Sequence, residues 1–177
     1  NIIVASTISG SGSMQVLQTG TVSLTGTGNT FSGTWTVGGA ATVGGTVYTN
    51  TALRVSTLDA SSADSLGFNS SLIADNYSIT KIGYDWQTTG SLSLNTNSVL
   101  FLDNNLPVGS LSIRGQALEA GTYTYAFLNT NYPGFFNTTG AGGSITIGAI
   151  PEPASLAALA GGVVLFGCTV LRRRRRA

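Results

Sequence analysis

Asp59, Asp64, Asp75, Asp85, Asp103 and Glu119 are the carboxylates of the first 150 residues. Two acids flanking a glycosidic bond would make a hydrolase, with Asp85 beside Trp86, and Asp103 or Glu119 as partner, the residues to consider. Their spacing carries no pair motif, and acids that follow strands commonly serve as turn residues. Asp59 with Asp64, or Asp103-Asn104-Asn105, would offer oxygen ligands to calcium, but Asx-turns and loop caps account for the same residues. The chain has no His, which removes Ser-His-Asp and Cys-His nucleophilic machinery and His-based metal sites. The single cysteine, Cys168, cannot form an intramolecular disulfide and reads as a small apolar residue in an apolar run. The chain is therefore read as non-catalytic, with no cofactor and no metal.

What remains is binding. Tyr123, Tyr125, Phe127, Tyr132, Phe135 and Phe136 crowd one region. Flat apolar rings would suit the faces of pyranose sugars, whereas a buried strand face also needs large side chains. Tyr123, Tyr125 and Phe127 alternate over residues 120–127 and are expected on one buried strand face. Tyr132, Phe135 and Phe136 flank the Pro133-Gly134 turn and are expected to be exposed, as possible contacts for an exopolysaccharide.

The elements that would carry such residues read as strands. Over residues 1–50, Val22 and Leu24, Trp35 and Val37, and Val43 and Val47 alternate with Thr, Ser or Gly, a period of two that implies one buried face. A unit of Gly, hydroxyl, apolar, hydroxyl, apolar recurs at Gly20, Gly33, Gly90, Gly109 and Gly143 without a fixed interval, so it is read as repeated strands, not a strict array. Residues 56–69 look like loop. Residues 77–86 read as a strand, and the apolar run 99–102 reads as a strand covered on both faces. Charged residues are only 8% of the chain, against about 25% in an average domain, so its surface is expected to be built from hydroxyls and amides.

Charge divides the chain in two. Residues 1–150 hold Arg54, Lys81 and Arg114 against the six acids, a net charge of −3. All remaining cations lie at Arg172, Arg173, Arg174, Arg175 and Arg176, so the basic character speaks of membrane topology and not of nucleic acid. Before them runs an uncharged stretch of 18 residues that opens at Ala154 and closes at Leu171. As a helix it would be about 27 Å long, close to the ~30 Å hydrocarbon core of a bilayer. Pro151-Glu152-Pro153 stands in front of it and interrupts regular structure. The arginines resist translocation, so they are expected to stay cytoplasmic and to leave residues 1–150 outside. The chain opens on Asn1 with no basic-then-apolar leader, and is read as the form left after leader removal or as a fragment.

The order Pro151-Glu152-Pro153, apolar run, arginine cluster resembles the PEP-CTERM sorting signal of bacterial surface proteins. That resemblance implies recognition by exosortase, a membrane-embedded transpeptidase, cleavage near Pro151-Glu152-Pro153, and a place in the cell envelope or an exopolysaccharide-rich biofilm matrix. Residues 20–43 resemble the autotransporter-associated β-strand repeat, through Leu24, Gly26, Asn29-Thr30-Phe31, Gly33, Thr36 and Val37. That repeat implies a rung or two of right-handed β-helix, in which Asn29 and the glycines turn corners and Leu24, Phe31 and Val37 stack inward. The expectation is an all-β ectodomain over residues 1–150, a short right-handed β-helix or solenoid with an antiparallel β-sandwich as the alternative. One C-terminal transmembrane α-helix follows within the sorting signal, residues 151–177. The expected partners are an exosortase-type membrane enzyme, the lipid bilayer and an exopolysaccharide.

Overall fold

The computed structural model describes residues 1–148 other than Gln18. The chain winds in coils, each of which places one strand in each of two parallel sheets. The first coil contains β1 (Ile2–Val4), β2 (Ser9–Gly10) and β3 (Ser13–Val16), and the second β4 (Gly20–Leu24), β5 (Thr30–Phe31) and β6 (Thr34–Val37). A hairpin of β7 (Ala40–Val43) and β8 (Thr46–Thr49) interrupts the winding. It resumes with β9 (Ser56–Ala60) and β10 (Ser71–Ala74), β11 (Ser78–Ile82) and β12 (Thr88–Leu94), then β13 (Ser98–Phe101) and β14 (Asn105–Ile113). The far end is built from β15 (Gln116–Ala117), β16 (Gly121–Thr124), helix α1 (Tyr125–Asn131), β17 (Phe136–Asn137) and β18 (Ser144–Ile147).

One sheet runs β1-β4-β9-β11-β13-β17, and the other β3-β6-β10-β12-β14-β18 with β16 at its edge. Neighbours in both are parallel apart from the closing β16–β18 pair and β15, which folds back on β14. Uninterrupted coils are 19 to 22 residues long, as the pairs Leu92↔Leu111 and Ser56↔Ser78 define. Parallel neighbours need a long crossover, and here the opposite sheet supplies it. An antiparallel sandwich, with neighbours joined by hairpins, does not have this pairing.

The core lies between the sheets. Trp35, Leu72, Leu92 and Leu111 stand in register across β6, β10, β12 and β14, with Val37, Ala74, Leu94 and Ile113 two residues on. All eight are buried. Facing them are Leu24, Ala60 and Ile82, in register across β4, β9 and β11. Each fully buried leucine contributes about 1.5–3 kcal/mol relative to exposure, and a coil obtains that burial only from its neighbours.

Several local expectations are corrected. Val43 and Val47 are 61% and 67% exposed, because the β7–β8 hairpin projects from a corner where no coil covers it. Ser56–Ala60 is a strand, with Ser56, Leu58 and Ala60 inward and the polar Thr57 and Asp59 half-buried between them. Along 99–102 only Leu100 and Leu102 are buried, while Val99 and Phe101 face outward, the latter with the Lys81 ammonium 5.0 Å from its ring centre. The strand expected over 120–127 stops at Thr124, whose hydroxyl accepts the Phe127 N–H at 3.3 Å and caps α1. Tyr125 and Phe127 therefore lie on a helix and share no strand face with Tyr123.

Four of the five glycines that open the repeated unit have a specific task. A Cβ on Gly33, Gly90, Gly109 or Gly143 would collide with the backbone carbonyl of Gly12, Ser70, Thr89 or Asn104 respectively, each one coil earlier or across the turn before it. None of these four adopts positive φ. The missing side chain, not backbone freedom, is what the second sheet requires there.

Candidate functional site

Of the carboxylates considered for catalysis or calcium, Asp103 and Asp85 accept hydrogen bonds from loop residues and the others are dispersed. Asp103 accepts hydrogen bonds from the Thr138 hydroxyl at 2.5 Å, the Thr139 N–H at 2.7 Å, the Thr139 hydroxyl at 3.0 Å and the Gly140 N–H at 3.2 Å. The Thr138 hydroxyl foremost, with the other donors behind it, holds this carboxyl below the usual carboxylate range. Asp85 accepts the Asn105 N–H at 2.9 Å. Asp64 sits in a turn at φ 61°, Asp59 lies on the outer face of the first sheet opposite Lys81, and Glu119 is exposed. Among the described residues no three His, Cys, Asp or Glu side chains gather as a metal site.

Because the folded-state pKa of Asp103 is depressed, its contribution to stability is present above the ordinary carboxylate value near 3.8 and is lost as pH falls through the lower folded value. Asp103 is half-buried and still in contact with solvent, which keeps the effect small. Acid titration of stability is expected to lose a shallow component below about pH 4 in Asp103→Asn. An unchanged titration would show that the loop at 138–140 does not depend on the charge.

The aromatic platform does not form as expected. Phe135 and Phe136 are only 3% and 5% exposed, and Tyr132, at the C-cap of α1, is half-buried. The turn at Gly134, φ 87°, reverses the chain and drives both Phe rings into the end of the coil. There Phe136 pairs with Leu100, and the Arg114 guanidinium lies 4.8 Å from the Phe135 ring centre. Neither Phe presents a face for a sugar.

A polar corner takes that place. Where β10, β12 and β14 end, Asp75, Asn76, Asn95, Thr96 and Arg114 line a shallow cleft of about 340 Å³. Asn95 donates to Asp75 at 3.1 Å, and Asn97 to Asn76 at 2.9 Å. Beneath them the Ser78 and Ser98 hydroxyls donate to the Asp75 and Asn95 carbonyls, each at 2.6 Å. Tyr77, Asn97 and Arg114 hold φ of 53°, 60° and 52°, which turns the chain at this corner. The cleft offers amides, a carboxylate, a hydroxyl and a guanidinium, groups that hydrogen-bond hydroxyls. In the sequence its signal is Asp75 and Asn95 one coil apart, visible only once the coil length is known.

On the opposite sides of the molecule, the outer face of the second sheet carries Ser13, Thr34, Thr36, Ser71, Ser91, Ser93, Ser110 and Ser112, with no charge among them. Asn29, expected at a corner, is buried and joins three coils: it accepts the Ile8 N–H at 2.6 Å and donates to the Ser65 carbonyl at 2.7 Å. Leu24, Phe31 and Val37 are buried in the core.

β18 ends at Ile147, and the tail begins at once. A β-rich ectodomain that runs directly into an address signal defines an exported, envelope-associated protein. The particular signal is the PEP-CTERM protein-sorting motif, whose family model matches residues 149–176. This motif is recognised by exosortase, a membrane enzyme, and implies sorting to the surface. No curated protein and no solved structure matches the chain. Pro151, Glu152, Pro153, the run from Ala154 to Leu171, and Arg172, Arg173, Arg174, Arg175 and Arg176 lie outside the described residues. Among the described residues no helix is long and apolar enough to cross a membrane.

Proposed function

We propose that this chain is a non-catalytic component of the bacterial surface or extracellular matrix, held in the membrane by residues 154–171 until an exosortase-type enzyme cuts near Pro151-Glu152-Pro153. The observation that carries the proposal is the sorting motif at residues 149–176, joined to a β-domain with almost no linker. The coil acts as a short right-handed β-helix, the hand that parallel crossovers almost always take. Its inward Leu24, Phe31 and Val37 and its buried Asn29 favour kinship of residues 20–43 with the autotransporter-associated repeat.

Each block of the tail has a separable task. Pro-Glu-Pro offers an extended backbone to a protease, the apolar run parks the chain in lipid, and the arginines fix its direction. Replacing Arg172, Arg173, Arg174, Arg175 and Arg176 by Gln is expected to shift most of the protein from the membrane fraction of intact cells to the soluble fractions. An unchanged partition would contradict the proposed topology.

A second reading, as a binding module for the matrix exopolysaccharide, is favoured by the Asp75–Asn95–Arg114 cleft and the neutral hydroxyl face. Co-sedimentation with purified matrix polysaccharide separates the two. No retention on any polysaccharide leaves the structural role alone.

A further inference from the structure

The pole from which the chain leaves the fold differs from the rest of its surface. Ile147, the last residue of β18, lies opposite Gly121 of β16, and Tyr123 lies opposite Ile145 in the same pair. Helix α1 follows β16 directly, seats Leu128 in the core, and leaves Phe127 48% exposed. The Tyr123 and Phe127 rings are 5.5 Å apart and tilted by 46°. The Tyr123 hydroxyl donates to the Glu119 carbonyl at 2.9 Å, so the ring has an apolar body and a satisfied polar tip. Glu119 is the only charged residue between 116 and 148.

Length then decides what this pole meets. Five residues lie between Gly148 and Ala154, so the two are at most about 22 Å apart when the chain is fully extended. The headgroup layer outside the hydrocarbon is itself about 5–7 Å deep on each side. With residues 154–171 in lipid, the exit pole lies against the headgroups, and an uncharged aromatic pair is what a membrane interface accepts. The other exposed large apolar side chains have no such tether: Val43, Val47 and Tyr48 are on the corner hairpin, Leu53 follows it, and Ile2, Ile3 and Met14 are in the first coil.

We propose that Tyr123 and Phe127 form an interfacial seat that rests the exit pole of the coil on the bilayer before processing. The seat rests on the reading of residues 154–171 as a membrane span. The lipid surface is its partner.

The test uses the full chain in phosphatidylcholine–phosphatidylglycerol vesicles whose acyl chains are brominated near the headgroup. Native Trp35 and Trp86 are buried and give a constant background. Phe127→Trp places a reporter in the seat, and Thr57→Trp places one on the outer face of the first sheet. Phe127→Trp is expected to lose about half of its added emission in brominated vesicles, as a ring at the headgroup–acyl boundary does, and Thr57→Trp none. No difference between the two, with the tail resistant to carbonate extraction, overturns the seat and leaves the anchor in place. Extraction by carbonate overturns the anchor, and the seat with it.

Discussion

Gly109→Ala lowers the stability of the coiled domain by about 3 kcal/mol, the upper range for overpacking, while Gly140→Ala leaves it within about 0.5 kcal/mol. A Cβ on Gly109 would drive into the Thr89 carbonyl and Gly90 backbone of the preceding coil, where the β12–β14 register shifts between Thr88 and Ser91. Gly140 has open space where its Cβ would go. Neither glycine has positive φ, so the comparison isolates space from backbone conformation. Denaturant unfolding, followed by the fluorescence of buried Trp35 and Trp86, measures both. Equal midpoints would mean that the coils stack less closely than described. A loss at Gly109 should also spread, since each coil is buried only by its neighbours.

The second large effect concerns the tail. Replacing Pro151 and Pro153 by Ala, with Glu152→Gln, is expected to eliminate most of the processed surface form while the precursor accumulates in the membrane. Two prolines fix φ and disfavour helix in the residue before each, which keeps the segment extended for a protease cleft. On the proposed reading of residues 154–171 as a membrane helix, alanines would let that helix extend towards the domain and withdraw the scissile backbone. Because residues 154–171 and the arginines are untouched, membrane association is expected to survive. Normal processing of the triple variant, read by the ratio of precursor to product on immunoblots, would contradict a role for the motif in cleavage.

The sequence displays the strands more clearly than their stacking. Trp35 and Val37, or Leu92 and Leu94, alternate with hydroxyls, and that pattern survives folding because one face meets the core. The coil length is hidden by three interruptions. The unit at Gly20 belongs to the first sheet and that at Gly33 to the second, so their interval measures half a turn of the winding. The interval from Gly33 to Gly90 contains the β7–β8 hairpin and a coil whose strand β10 lacks the glycine. The interval from Gly109 to Gly143 contains β15, β16, α1 and β17.

Other features depend on partners that no local pattern reveals. Phe135 and Phe136 are adjacent yet both buried, because they close the end of the coil, where core lies around both rings. Tyr125 and Phe127 alternate like strand residues, but the Thr124 cap starts a helix. The polar corner needs Asp75, Asn95 and Arg114 to stack across coils. The tail was legible for the opposite reason: charge, apolar length and proline are properties of the chain itself, and the sorting-motif match falls on those residues.

Mass spectrometry of the protein recovered from the outside of intact cells tests the central claim most directly. The account predicts peptides that run through β18 and stop near Pro151-Glu152-Pro153, with residues 154–176 absent from the surface pool. Surface protein that retains Ala154 through Arg176 would contradict it.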